Sequence, residues 1–227
     1  MELHRDKWNH YTEKRIPFIE ANRQALFHKL YIDFMTQRTD INSVLEIGPG
    51  QLIEYPAIKK LRPLKYDVVE ISEAFIKYCQ EHYPEISIIQ SQIEQLPTMS
   101  LYDYDLVRVC DVIEHTSPVQ DAIRNIITCA KYFHITMFKW MTGGSELHPS
   151  DIRKDRKEHT YYSTKFPLKQ IMKEIEKYGK IDTATFIEEE TDTLVEFTKF
   201  WDKNRFDTIP PLPNSRRVRF VMTGGRF

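Results

Sequence analysis

Short apolar runs alternate with amphipathic stretches between residues 43 and 138. Ser43-Val44-Leu45-Glu46-Ile47, Tyr66 to Ile71, Ile86 to Gln90, Tyr104 to Cys110 and Tyr132 to Phe138 each read as a strand. Helices fall between them. One covers roughly 51–62, ended by Pro63, with Pro56 kinking it or delaying its start. A second runs from its cap Ser72 to about His82, and Pro84 breaks it. A third opens at Ser117-Pro118, with Pro at the first helical position, and reaches about Ala130. Strands that are apolar nearly throughout are buried on both faces. Their alternation with helices predicts a parallel sheet with helices on both faces.

The flanks are less regular. Residues 1–40 read as helical, with Ile19, Leu26, Leu30 and Phe34 near the helical period. They are expected to form a helical lid over a central half at 41–139. Residues 140–163 are polar and aromatic, an expected long, irregular connection. A helix from about Pro167 to Tyr178 should end on Gly179 as its C-cap, followed by a strand from Lys180 to Glu188. Leu194, Val195, Phe197, Phe200 and Trp201 look helical, within an insertion at about 190–215 that contains a stiff proline-rich linker. Arg216 to Thr223 alternates apolar and basic residues as a last strand. The whole chain reads as one domain.

Charge narrows the function. Lys plus Arg is 32 and Asp plus Glu is 33, a net charge of -1 over 227 residues. This excludes a global basic surface, so nucleic acid is not the expected partner. No apolar run approaches the ~18 residues of a membrane span. Cys79, Cys110 and Cys129 are widely spaced in apolar stretches and read as buried thiols without metal spacing, as in a cytoplasmic protein.

The chemistry-bearing signal is Val44-Leu45-Glu46-Ile47-Gly48-Pro49-Gly50: a strand, a tight Gly-x-Gly turn, then a helix. Such a turn lets a ligand lie on bare backbone at the carboxyl end of a strand. Glu70 ends the next strand, where an acid accepts hydrogen bonds from ribose hydroxyls. Two adenosine ligands compete. NAD needs a third glycine, and that position is Ile53. Glu46 would also repel a pyrophosphate. It suits a cation such as the ammonium of a methionine moiety, so the charge pattern favours S-adenosylmethionine.

The series VLEIGPG, YDVVEIS, SQIEQLP and YDLVRVCDVIEHT resembles a class I S-adenosylmethionine-dependent methyltransferase, closest to the small-molecule type of quinone biosynthesis, over about residues 40–138. The resemblance implies a Rossmann-like, seven-stranded, mostly parallel sheet with its last strand antiparallel. It also implies roles by position. Glu46, Gly48 and Gly50 would wrap the methionine end. Glu70 would hold the ribose, with Ile71 beside the adenine. Gln92 falls where an Asp often meets the adenine amino group, with Ile93 as apolar neighbour. Cys110 and Asp111 would lie beside the sulfonium. Leu52 replaces another common glycine, and Arg108 stands mid-strand where an apolar residue is expected. A buried Arg108 should pair with Glu46 or Asp111.

Methyl transfer mainly needs alignment of acceptor and methyl. A base is needed only where the acceptor must lose a proton early. The candidates for catalysis are Glu114 and His115 after the fourth strand, and His159 in the irregular stretch. Asp111, Glu114, His115 and His159 also resemble the metal set of small-RNA 2′-O-methyltransferases, though Asp111 is one methylene short of its first acid. Mg²⁺ is therefore a second cofactor to test, with no residue assigned to it. His134 should be packed in its strand, and His4, His10, His28 and His82 read as surface positions. Trp8, Tyr11, Trp140, Tyr161, Tyr162 and Trp201 either pack or line an acceptor pocket. The run Arg153–Lys157 reads as a solvated face or a contact to an acidic substrate. A small-molecule acceptor is the leading expectation. An RNA-end methyltransferase and a non-catalytic cofactor-binding partner are the alternatives.

Overall fold

The computed structural model describes residues 25–95, 104–138, 140–141, 152–154, 160–162, 166–188, 193–198 and 218–227. Strands β1 (Ser43–Ile47), β2 (Lys65–Glu70), β3 (Ser87–Gln90), β4 (Tyr104–Cys110) and β5 (Ala130–Met137) are mutually parallel where they pair. They are joined by three further strands, β6 (Gly179–Glu188), β7 (Thr193–Thr198) and β8 (Val218–Arg226). The order across the sheet is β7-β6-β8-β5-β4-β1-β2-β3. β8 runs antiparallel to both neighbours, as expected of the last strand. Order reverses between β1 and β4, which places a crevice at their carboxyl ends.

Among the described residues the sheet has eight strands, one more than the seven expected. The extra one, β7, is an edge strand antiparallel to β6, in a segment whose apolar spacing looks helical. Thr193, Val195 and Phe197 are β-branched or aromatic, and the run is too short to sustain a helix without a partner. Pairing with β6 therefore decides. Trp201 and the linker lie outside the described residues, as do residues 1–24 of the expected lid. Within the expected loop at 140–163, Ile152–Lys154 pairs antiparallel with Thr160–Tyr162.

Among the described residues five α-helices flank the sheet: α1 (Leu26–Gln37), α2 (Tyr55–Leu61), α3 (Glu73–His82), α4 (Val119–Thr128) and α5 (Leu168–Ile175). The Ser72 hydroxyl accepts from the Phe75 amide at 3.4 Å, capping α3. Pro56 sits in the first turn of α2 and delays its start. Alternate strand residues feed two cores. Leu45, Val107, Val109 and Ile135 pack with α4 and α5. Val44, Val68 and Leu106 pack with α1, α2 and α3. Among the described residues no helix is long and apolar enough to cross a membrane.

Gly179 is not a C-cap; it begins β6. A Cβ there would meet Gly225 O at 2.6 Å, so the small residue serves close strand packing. Gly224 is tighter still, with Lys180 O at 2.0 Å and Phe133 Cζ at 2.4 Å from a built Cβ. Gly224→Ala is expected to cost about 3 kcal/mol, whereas Gly225→Ala, with its nearest contact a carbonyl at 3.2 Å, should cost about 1 kcal/mol. Urea unfolding midpoints of the two variants check the ranking.

Candidate active site

The turn after β1 is built on left-handed backbone. Gly48 has φ +62° and Gly50 φ +55°. The Gly48 amide donates to Val69 O at 2.9 Å, tying the turn to β2. A side chain at Gly48 would collide with Val112 Cγ2 at 2.5 Å, so the loops after β1 and β4 touch here. Leu52, standing in place of a further glycine, is also left-handed, at φ +53°. That conformation costs a non-glycine roughly 1–2 kcal/mol. Burial of its side chain among Tyr55, Ile58 and Met35 offsets the cost.

A cavity of about 470 Å³ opens over the carboxyl ends of β1, β2 and β4. Glu46, Gly48, Gly50, Glu70, Ile71, Gln92, Ile93, Cys110, Asp111 and His115 all line it. Glu114 does not. It is fully buried beneath the site, and its Oε1 accepts from the Phe138 amide at 2.6 Å. It therefore shapes the loop after β5. His159 lies outside the described residues, although the strand Thr160–Tyr162 packs against the Ile113–His115 turn. Asp111 is held by Arg219, so Asp111, Glu114 and His115 do not converge. Among the described residues no group of three or more acids, histidines or cysteines is placed to hold a metal ion.

The two acids at the strand ends are buried. Glu70 Oε1 accepts from the Ile71 and Ser72 amides at 2.7 and 2.8 Å. Burial pushes its carboxyl up to about 7 against the pull of those amides. Glu46 Oε2 accepts from the Tyr66 hydroxyl at 2.7 Å. Burial, then the negative charge of Glu54, pushes Glu46 up to about 8. A bound cation or a set of hydrogen-bond donors would favour the charged form of either acid and pull it back down.

Beneath them lies Arg108, with 0% exposure. Glu46, Arg108 and His134 sit side by side on neighbouring strands β1, β4 and β5. The partner of Arg108 is neither Glu46 nor Asp111. It is Glu54, whose Oε1 lies 3.1 Å from Nη2. Arg108 Nη1 also donates to Thr136 Oγ1 at 2.8 Å and Val109 O at 3.0 Å, and lies 3.1 Å from His134 Nδ1. Burial and then the Arg108 charge drive His134 well below its ordinary range, so it is packed and neutral, as expected. Burial alone would raise Glu54. The hydrogen bond and charge of His28, with Arg108, outweigh it and hold Glu54 near 2.

Sequence reasoning placed His28 on the surface, yet it is 5% exposed, with Nδ1 2.7 Å from Glu54 Oε1. It lines the cavity with Phe27, Glu54, Phe138 and Arg219. None of these carries a local motif. His82 is exposed, as read.

Residues 45–132 match the family of the methyltransferase domain. Solved structures share this chain's fold at low identity. The Haloferax volcanii protein seen with the Trm112 methyltransferase activator is 10% identical, with a TM-score of 0.66 over 97% of this chain and 96% of that one. A TehB-like SAM-dependent methyltransferase from Corynebacterium glutamicum is 13% identical, with a TM-score of 0.60 over 98% and 99%. The N-terminal domain of EvdMO1, solved with SAH bound, is 11% identical, with a TM-score of 0.61 over 90% and 82%. No curated protein sequence matches significantly.

Two outcomes follow from the buried charges. Arg108→Ala strands Glu54 and should cost about 3–5 kcal/mol, and pairing Arg108→Met with Glu54→Gln should recover part of it. Urea titration of the single and double variants measures both. Glu46 binds its proton more tightly folded than unfolded, so it lowers stability as pH rises from about 4.5 through 8. Glu46→Gln should therefore raise the melting temperature at pH 9 and leave it nearly unchanged at pH 4. Thermal melts of the ligand-free protein at the two pH values test this.

Proposed function

We propose that this methyltransferase domain transfers the methyl group of S-adenosylmethionine to a small-molecule acceptor. The observation that carries the reading is the pair of buried acids, Glu46 and Glu70, flanking a left-handed glycine turn on one cavity wall. A cofactor with an ammonium, a sulfonium and a ribose fits them. A pyrophosphate fits neither the acids nor the turn, which lacks the third glycine. When bound, the cofactor supplies a methyl group already activated on a positive sulphur.

The chain's own residues then bind and orient. Glu46 gives up its proton and faces the ammonium. Glu70, held by two backbone amides through Oε1, presents its carboxylate to the ribose hydroxyls. Ile71 and Ile93 flank the adenine, and Gln92 meets its polar edge with a neutral amide. Cys110 and Asp111 border the sulphur end. The acceptor enters beside His115, Phe138 and Phe27, where apolar walls exclude water and His115 is in reach to take a proton. Glu114 is not part of this set.

Calorimetric titration with S-adenosylhomocysteine tests the reading. The native chain should bind in the micromolar range, and Glu70→Ala should weaken binding at least tenfold, about 1.4 kcal/mol. Mg²⁺ should leave both values unchanged. Absence of binding by the folded native protein would sink the reading.

A further inference from the structure

Arg219 is the one Arg or Lys on the cavity wall among the described residues, and it is 9% exposed. It enters from β8, two strands away from β4. Its guanidinium carbon lies over the Phe27 ring, 3.9 Å from the centroid, and 5.8 Å from the Phe138 centroid. Nη1 is hydrogen-bonded to Asp111 Oδ2. Asp111 has φ +58°, a conformation costly for any residue with a side chain. Its amide donates to Thr136 O at 2.9 Å, and the pair with Arg219 holds its carboxylate. A cation fixed between two aromatic rings and anchored to a strained acid is a built feature of the wall.

We infer that Arg219 selects a small acceptor that carries an anionic oxygen, with a flat apolar body seated against Phe27 and Phe138. This rests on the proposed cofactor. With the cofactor in place, the acceptor end holds two positive charges, the sulfonium and Arg219, against one negative charge, Asp111. Charges this close in a water-poor cavity interact strongly, so an anion is attracted there and a cation repelled. A planar guanidinium meets a carboxylate edge-on with paired N–H groups, and it does so by sharing with Asp111 or exchanging for it. The acids of the cavity do not oppose this. Glu46 and Glu70 face the cofactor, Glu54 is neutralised by Arg108, and Glu94 accepts from the Ser117 amide at 2.8 Å.

The test uses the whole chain saturated with sinefungin, whose side-chain ammonium replaces the sulfonium charge. Benzoate, benzyl alcohol and benzylamine are the probes, with dissociation constants read by ligand-observed NMR. Benzoate should bind at least tenfold more tightly than the other two. Arg219→Met should abolish that preference, and Arg219→Lys should keep part of it. Sinefungin affinity and melting temperature, measured on each variant, separate loss of the subsite from loss of fold. Three results overturn the inference: benzylamine or benzyl alcohol binding as well as benzoate, a benzoate preference that survives Arg219→Met, or no benzoate binding by protein that binds sinefungin normally. Failure of the native protein to bind sinefungin or S-adenosylhomocysteine overturns the cofactor reading, and this inference with it.

Discussion

A guanidinium with no solvent exposure in the middle of a parallel sheet has to be neutralised, and much of the site follows from how that is done. Arg108 reaches Glu54, which stands just after the glycine turn. The chain can deliver Glu54 there because Leu52 takes a left-handed conformation and buries its side chain. Glu54 in turn holds His28, so α1 is tied to the turn by a buried polar contact as well as by packing of Tyr31 and Met35. Tyr31 lies under the guanidinium at 4.6 Å. One buried charge thus links β4, the loop after β1 and α1. Swapping such a cluster for apolar groups of similar volume is often neutral for stability, so its presence needs a reason beyond holding the fold together.

The reason lies in how two acids share one cation. Glu54 has the close contacts and stays ionised. Glu46, left with a tyrosine hydroxyl and the field of Glu54, keeps its proton into the alkaline range. An acid in that state at a cavity wall is poised to exchange the proton for a cationic ligand. The wall is therefore tuned by burial and by the charge of Glu54. Charge complementarity of this kind discriminates between adenosine ligands more sharply than shape, because a cation displaces the Glu46 proton and pairs with the carboxylate, whereas a phosphate there would stay buried without a countercharge.

The parallel half of the fold was legible in the sequence because it rests on period and punctuation. Strands β1 to β5 lie within two residues of their expected bounds, and Ser72 and Pro56 mark helix starts by local chemistry alone. β7 was not legible, since Leu194, Val195 and Phe197 satisfy either period and only the neighbouring strand decides. Gly179 was misread for a related reason: its smallness serves contact with Gly225 and Ile127, far away in sequence. At the site, the glycine turn and the two strand-end acids were visible because they come from short motifs. Arg108 was visible as an anomaly, but its partner depends on the backbone at Leu52, which carries no glycine signal. His28, Phe27 and Arg219 come from α1 and β8, and only the closed fold brings them together.

The two left-handed residues that are not glycine show how the same strain can serve different ends. Leu52 holds its conformation by packing, and the result is structural: it aims Glu54 at Arg108. Asp111 sits on the cavity wall, where no apolar burial is on offer. It is held by an amide bond to β5 and by a cation from β8. A strained residue persists only when its surroundings over-determine it. At Asp111 those surroundings are the end of one strand and a charged side chain of another. The acceptor end and the turn are thus in contact through a short path, from Arg219 to Asp111, along the chain to Val112, and across to Gly48.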